Sequence, residues 1–212
     1  IMKTSVKLLL AVSAVGLTNF VQAQEKTDSI PRKFQLTFIT PLGTNGIDSK
    51  KITNNLSINI IAGYSGGLKG AEFGGVANIL KGDMDGAQFA GYANINQGKG
   101  KGFQGAGFLN YNHKEFNGAQ FSGYANVILA NAKGFQAAGF ANVVRGDLKG
   151  HQFAGFANVV TDSLTGFQGA GFANYSNGNT YGQVSGFTYF YFGDISGPQI
   201  AGFNNINAGN LK

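Results

Sequence analysis

The chain has 212 residues, a formal charge of +6, no cysteine, 34 glycines and only 12% charged side chains. That length carries one domain with a real core, while the missing cysteine excludes a disulfide framework and a cysteine-linked lipid anchor. The positive excess is small and its cations are dispersed, which argues against a nucleic-acid partner, and the low charged share with abundant glycine points to sheet.

In chain order, the first element is a leader. Met2-Lys3-Thr4-Ser5-Val6-Lys7 gives a short basic start, and an apolar run follows from Leu8 to Leu17. Small residues then close it at Val21-Gln22-Ala23. The apolar run is too short to span a bilayer, so residues 1–23 read as a secretory signal peptide. Residues 24–33 read as a flexible tail and 34–212 as one repetitive β domain. Phe34-Gln35-Leu36-Thr37-Phe38-Ile39 and Leu56-Ser57-Ile58-Asn59-Ile60-Ile61 read as strands, with Gly43-Thr44-Asn45-Gly46 in a loop between them.

From residue 70 onward a single phrase repeats. Gly86-Ala87-Gln88-Phe89-Ala90-Gly91-Tyr92-Ala93-Asn94 returns from Gly102, Gly118, Gly134, Gly150 and Gly166, at an interval of 16 residues. Glu72 holds the glutamine slot one unit earlier, and Gln183 and Gln199 continue it after a one-residue deletion near Asn179. Within residues 148–160, Leu148, Gly150, Gln152, Ala154, Phe156, Asn158 and Val160 share one face. Lys149, His151, Phe153, Gly155, Ala157 and Val159 share the other. A period of two is a strand signal, and an even repeat returns each residue type to the same face. Turn residues sit between units at Lys81-Gly82-Asp83, His113-Lys114-Glu115, Arg145-Gly146-Asp147 and Thr161-Asp162-Ser163.

Two topologies satisfy this pattern. In an antiparallel up-and-down meander each unit is one strand, and a hairpin centred on Ser163 sets Gln168 opposite Asn158 and Gln152 opposite Asn174. In a parallel β-solenoid each unit is one 16-residue coil, with Gln over Gln and Asn over Asn. The bulky outer residue alternates in place: Phe89, Phe121 and Phe153 follow the glutamine, whereas Phe103, Phe135 and Phe167 precede it. This deeper period of 32 favours the meander. Closed on itself, it becomes an outer-membrane β-barrel of about 10–12 strands. Those six phenylalanines then face lipid. Gln88, Asn94, Gln104, Asn110, Gln120, Asn126, Gln136, Asn142, Gln152, Asn158, Gln168 and Asn174 then form a polar lumen row, or the ladder of the alternative solenoid. Tyr189, Phe190, Tyr191 and Phe192 become an interfacial aromatic belt. The non-aromatic end at Lys212 and Pro198 near the last strand speak against closure.

The phrase G-x-Q-x-A-G-F-A-N, with the leader and Ile61-Ala62-Gly63-Tyr64, resembles bacterial surface-repeat proteins, exported by Gram-negative bacteria. The resemblance spans about 50–206. It implies a place in the outer membrane or at the cell surface and brings no catalytic residues.

Nothing in the chain assembles chemistry. His113 lies beside Glu115 without a second ligand at metal spacing, and His151 fills a slot held elsewhere by Phe or Ala. Gly100-Lys101-Gly102-Phe103-Gln104-Gly105 matches G-x-G-x-x-G formally but lies within a repeat, with no helix to follow. Asp83 and Asp85 read as solvated turn carboxylates rather than a Ca²⁺ site. The expectation is a non-enzyme without cofactor or metal, with outer-membrane lipid as partner. A secreted adhesin or an amyloid-like assembly protein is the alternative, with a glycan, another protein or a second copy as its ligand.

Overall fold

The computed structural model describes residues 29–194 and 196–207. The proposed leader lies outside the described residues, while the first strand, β1 (Ile30–Ile39), begins inside the stretch read as tail. A two-residue strand, β2 (Leu42–Gly43), folds back antiparallel on β1, and a 3-10 turn over Gly46–Lys51 leads into β3 (Ile52–Ser65). β3 runs parallel to β1 on one side. On its other side it pairs with β4 (Gly67–Gly74) and then with β5 (Ala77–Leu80).

From β4 and β5 onward each unit repeats that pair as one long and one short strand, such as Met84–Ala90 and Ala93–Asn96. Long strands stack on long and short on short, always parallel, and in register except for a shift between Leu164 and Phe167 where Leu164–Ala170 meets Thr180–Ser185. The molecule is therefore a parallel β-solenoid of about nine 16-residue coils. The expected antiparallel meander and outer-membrane barrel are overturned by this register. Gln168 lies beside Gln152 and Gln183 rather than opposite Asn158, and Asn158 lies between Asn142 and Asn174.

Glycine explains why the parallel arrangement wins. Gly150 and Gly166 adopt φ of +147° and +145°, a region that excludes most side chains. They sit directly over one another, and a Cβ on Gly166 would lie 1.8 Å from the carbonyl oxygen of Gly150. The hairpin centred on Ser163 would have set these residues against Ser176 and Val160, whose side chains cannot be accommodated so close. A second glycine column, at Gly91, Gly107, Gly123, Gly139, Gly155 and Gly171, stands at the bend between long and short strands. There a Cβ would meet the carbonyl of the glycine one coil earlier at 2.0–2.2 Å. Each unit is thus two strands and two corners, not one ribbon.

The interior of the coil has an apolar end and a polar end. Leu68, Met84, Phe116, Leu148 and Leu164 stack from the long strands, and Leu80, Ile128, Val144 and Val160 from the short ones. Volumes interlock along the axis: the ring of Phe116 fills the space over Gly100, where a Cβ would approach its Cδ2 to 2.4 Å. At this level Asn96 and Asn112 replace the aliphatic residues. Asn96 donates to Asn112 Oδ1 at 3.1 Å, and Asn112 donates to Gln104 Oε1 at 2.7 Å.

At the outer corner the charged residues act on the backbone. Asp83 accepts the Lys99 N–H at 2.8 Å, Asn131 that of Asp147 at 2.9 Å, and Asp147 that of Ser163 at 3.0 Å. Lys99–Glu115 and Lys101–Asp85 pair at 3.1 and 3.7 Å across neighbouring coils. Such exposed pairs contribute only about 0–1 kcal/mol each. The carboxylates read as solvated turn residues therefore also hold adjacent turns together.

Candidate functional site

The polar row predicted for a lumen is a solid interior ladder. Gln88, Gln104, Gln120, Gln152 and Gln168 are fully buried, and so are Asn94, Asn110, Asn126, Asn142, Asn158 and Asn174. Gln136 is buried as well. Along the glutamine column each Nε2 donates to the Oε1 of the preceding coil: Gln104 to Gln88 at 2.7 Å, Gln120 to Gln104 at 2.7 Å, Gln168 to Gln152 at 2.8 Å. The asparagine column runs the other way, Asn94 donating to Asn110 at 2.9 Å and Asn126 to Asn142 at 2.8 Å. The second N–H of each asparagine reaches a backbone carbonyl of the following coil, as from Asn94 to Gly105 and from Asn126 to Ala137. Those carbonyls flank the bend, where the strand ladder is interrupted. Pairing of the amides from Gln88 to Asn174 is what permits so many of them in a core, while Gln183 Oε1 and Gln199 Nε2, at the C-terminal end of the glutamine column, have no partner. Because they are covered, these amides cannot meet a glycan or another sheet.

The glutamine column begins on a carboxyl group. Glu72 is fully buried and stacked beside Gln88. Its Oε2 accepts from Gln88 at 2.8 Å and its Oε1 from Asn59 at 3.0 Å. Burial pushes its carboxyl above the ordinary glutamate range, opposed by hydrogen bonds from Gln88, Asn59, Ser57 and Ser65. An acid that holds its proton more tightly when folded stabilises the fold most below its unfolded pKa. That contribution is lost as pH rises toward the raised folded value. As pH rises above the ordinary glutamate range, the urea midpoint of the native chain should therefore decline more steeply than that of Glu72→Gln. Parallel profiles for the two proteins would reject this role for Glu72.

The outside of the long strands carries the six phenylalanines assigned to lipid. No barrel surrounds them; they form a staggered column on the solenoid's exterior. Ring centroids of Phe89, Phe103, Phe121, Phe135, Phe153 and Phe167 follow at 5.3–6.1 Å. The alternation of period 32 is the zigzag of this column. Each ring stands beside a small residue, as Phe121 does between Gly105 and Ala137 and Phe153 between Ala137 and Gly169. Chain direction plays no part in it.

A second aromatic column was missed by strict alternation, which assigned Phe156 to the interior. It comprises Tyr92, Phe108, Tyr124, Phe140, Phe156, Phe172, Phe187 and Phe203, just after the glycine of the bend. These rings stack directly, with centroids 4.6–5.0 Å apart and planes within 6° of parallel. The corner turns them out to solvent: Tyr92 is 52% exposed and Phe140 39%. The signal was present in the sequence as the recurring glycine–aromatic dipeptide, since a glycine fixed at one slot of a strand marks a bend or close backbone approach.

The remaining sequence candidates stay dispersed. His151 occupies an exposed slot of the outer column between Phe135 and Phe167, and His113 lies 3.5 Å from the Tyr111 hydroxyl. Gly100–Ala106 is an ordinary long strand with no helix after it. Of the expected barrel belt, Tyr189, Phe190 and Tyr191 belong to a short strand, Thr188–Tyr191, stacked on Ala173–Ser176, and Phe192 follows it. Among the described residues no cluster of three or more His, Asp or Glu side chains could hold a metal, and no helix is long and apolar enough to cross a membrane. Comparison with protein-family models, with curated proteins and with solved structures gives no match to this chain.

Proposed function

We propose that this chain is an exported β-solenoid that works by surface contact, as an adhesin or assembly element of a bacterial envelope, without catalysis. The observation that carries this reading is the pair of aromatic columns left on the outside of a stack whose polar groups are turned inward. At roughly 40% exposure of about 200 Å² per ring, the exposed aromatics present on the order of 1,000 Å² of apolar surface, where a typical monomer's largest patch is about 300–600 Å². Surface of that extent is costly in water unless a partner covers it. The leader read in residues 1–23 supports export, and the resemblance to surface-repeat proteins supports the envelope.

The contact is not sugar stacking. A pyranose packs on the face of an aromatic ring, and the faces of the straight column are covered by neighbouring rings, which present their edges outward. The matching partner is an apolar surface that meets those ring edges.

Expression in a Gram-negative host tests the reading. The native chain should be exported and retained on the cell. A Phe140→Asp/Phe156→Asp variant should be exported equally but released to the medium by at least 10-fold. Retention of the native chain in the cytoplasm, or equal surface retention of both, would reject the proposal.

A further inference from the structure

We infer that the apolar edge is covered by a second copy of the chain, packed side by side with its own aromatic edge facing the first. This rests on the surface-contact reading and names its partner.

Relief, repeat and rim point to a second copy. The outer rows are not uniformly apolar. Beside the staggered phenylalanines runs a shallow groove with Phe121 and Phe153 along one side and a floor of Ala106, Ser122, Ala138 and Ala170. Small residues line this floor in every coil, so the groove is straight and takes a ridge one ring wide. The solenoid carries such a ridge, the straight column from Tyr92 to Phe203. A two-fold axis sets the ridge of each copy against the groove of the other, the self-complementary arrangement of an isologous dimer.

The axial repeat sharpens the choice. Parallel strands stack at about 4.8 Å, and the notches at Gly105, Ala137 and Gly169 recur every second coil, at about 9.6 Å. A partner must share that rise to stay in register over the whole length, and another copy shares it by construction. Burying about 1,000 Å² on each side gives roughly 2,000 Å² in total, the upper part of the standard range for specific interfaces.

The charges fall at the edge of this surface rather than within it. Lys69, Lys101, Lys133 and Lys149 project from the long strands on the far side of the staggered column, giving the apolar centre and polar rim of a protein interface. Lys101 is paired with Asp85 and Lys99 with Glu115, so this rim is not the unbroken basic strip that an anionic lipid surface would select.

The native chain lacks cysteine, which makes cross-linking clean. Sedimentation velocity at micromolar concentration should give twice the mass of the single exported chain. Phe140→Lys/Phe156→Lys should weaken the dimer at least 100-fold with an unchanged far-ultraviolet circular dichroism spectrum. Phe140 lies mid-column, so Phe140→Cys should cross-link with a short bismaleimide whichever way the copies run, while Lys133→Cys on the rim should not. Flotation with 3:1 phosphatidylcholine–phosphatidylglycerol vesicles forms the second arm. A native chain that is monomeric at 100 µM but floats with vesicles overturns the second copy and leaves the surface-contact reading standing. A monomer that neither floats nor is retained on cells overturns both. Equal cross-linking at Phe140 and Lys133 overturns the edge-to-edge geometry.

Discussion

Gly118→Ala is expected to destabilise the solenoid by about 3–5 kcal/mol, although it adds one methyl group. Gly118 has φ of +150°, and its Cβ would stand 1.8 Å from the carbonyl oxygen of Gly102. The backbone strain alone costs on the order of 1–3 kcal/mol. The carbonyl cannot swing aside like a side chain, because it belongs to a strand paired on both sides. The coils must part locally, and each strand hydrogen bond lost adds about 1 kcal/mol. Gly105→Ala provides the contrast. Its Cβ would meet only ring atoms of Phe89 and Phe103 at 3.3 Å, which can tilt, so the expected cost is about 1 kcal/mol or less. Urea unfolding followed by circular dichroism should separate the two, with Gly118→Ala also dividing the transition into two blocks, since repeats are stabilised by their neighbours. Equal midpoints would contradict the glycine-column account.

Asn126→Leu, which keeps the branched outline of the side chain but is bulkier and apolar, should be almost as damaging. Asn126 accepts from Asn110, donates to Asn142 at 2.8 Å and donates to the Ala137 carbonyl at 2.8 Å. Leucine leaves three groups in a dry interior without one of their partners. At about 1–3 kcal/mol for each orphaned group, with partial relaxation, the expected loss is about 3–5 kcal/mol. Val144→Ala, at the apolar end, removes two methyl groups and should cost about 1–3 kcal/mol. If chemical denaturation ranks Val144→Ala as the worse of the two, the amide columns are not the principal source of specificity here.

Much of this architecture was legible in the residues, and what was not has identifiable causes. The period of two placed Leu148, Gln152 and Val160 inside and Lys149, His151 and Phe153 outside, as observed. The constant interval of Gln and Asn fixed the repeat. Direction failed because amide pairs well with amide in either sense of chain, and large against small fits either sense as well. The decisive residues were the glycines, whose close approach requires glycine beside glycine along the axis. Phe156 was misplaced because alternation was carried through the bend at Gly155, where the chain turns and parity no longer reports the inside. No metal or catalytic cluster was read from the sequence, whose polar regularity is spent on the interior ladder.

The opposed directions of the two amide columns have an electrostatic consequence. Aligned peptide dipoles in an α-helix sum to a moment that leaves partial charge at each end. Here every added coil contributes one glutamine amide aimed toward the N-terminal end and one asparagine amide aimed toward the C-terminal end. Their axial components largely offset one another, so lengthening the stack builds up little field along it. Copy number can then drift by duplication or loss of a unit without an electrostatic penalty, and evolution is free to set the length of the rod by what it must reach.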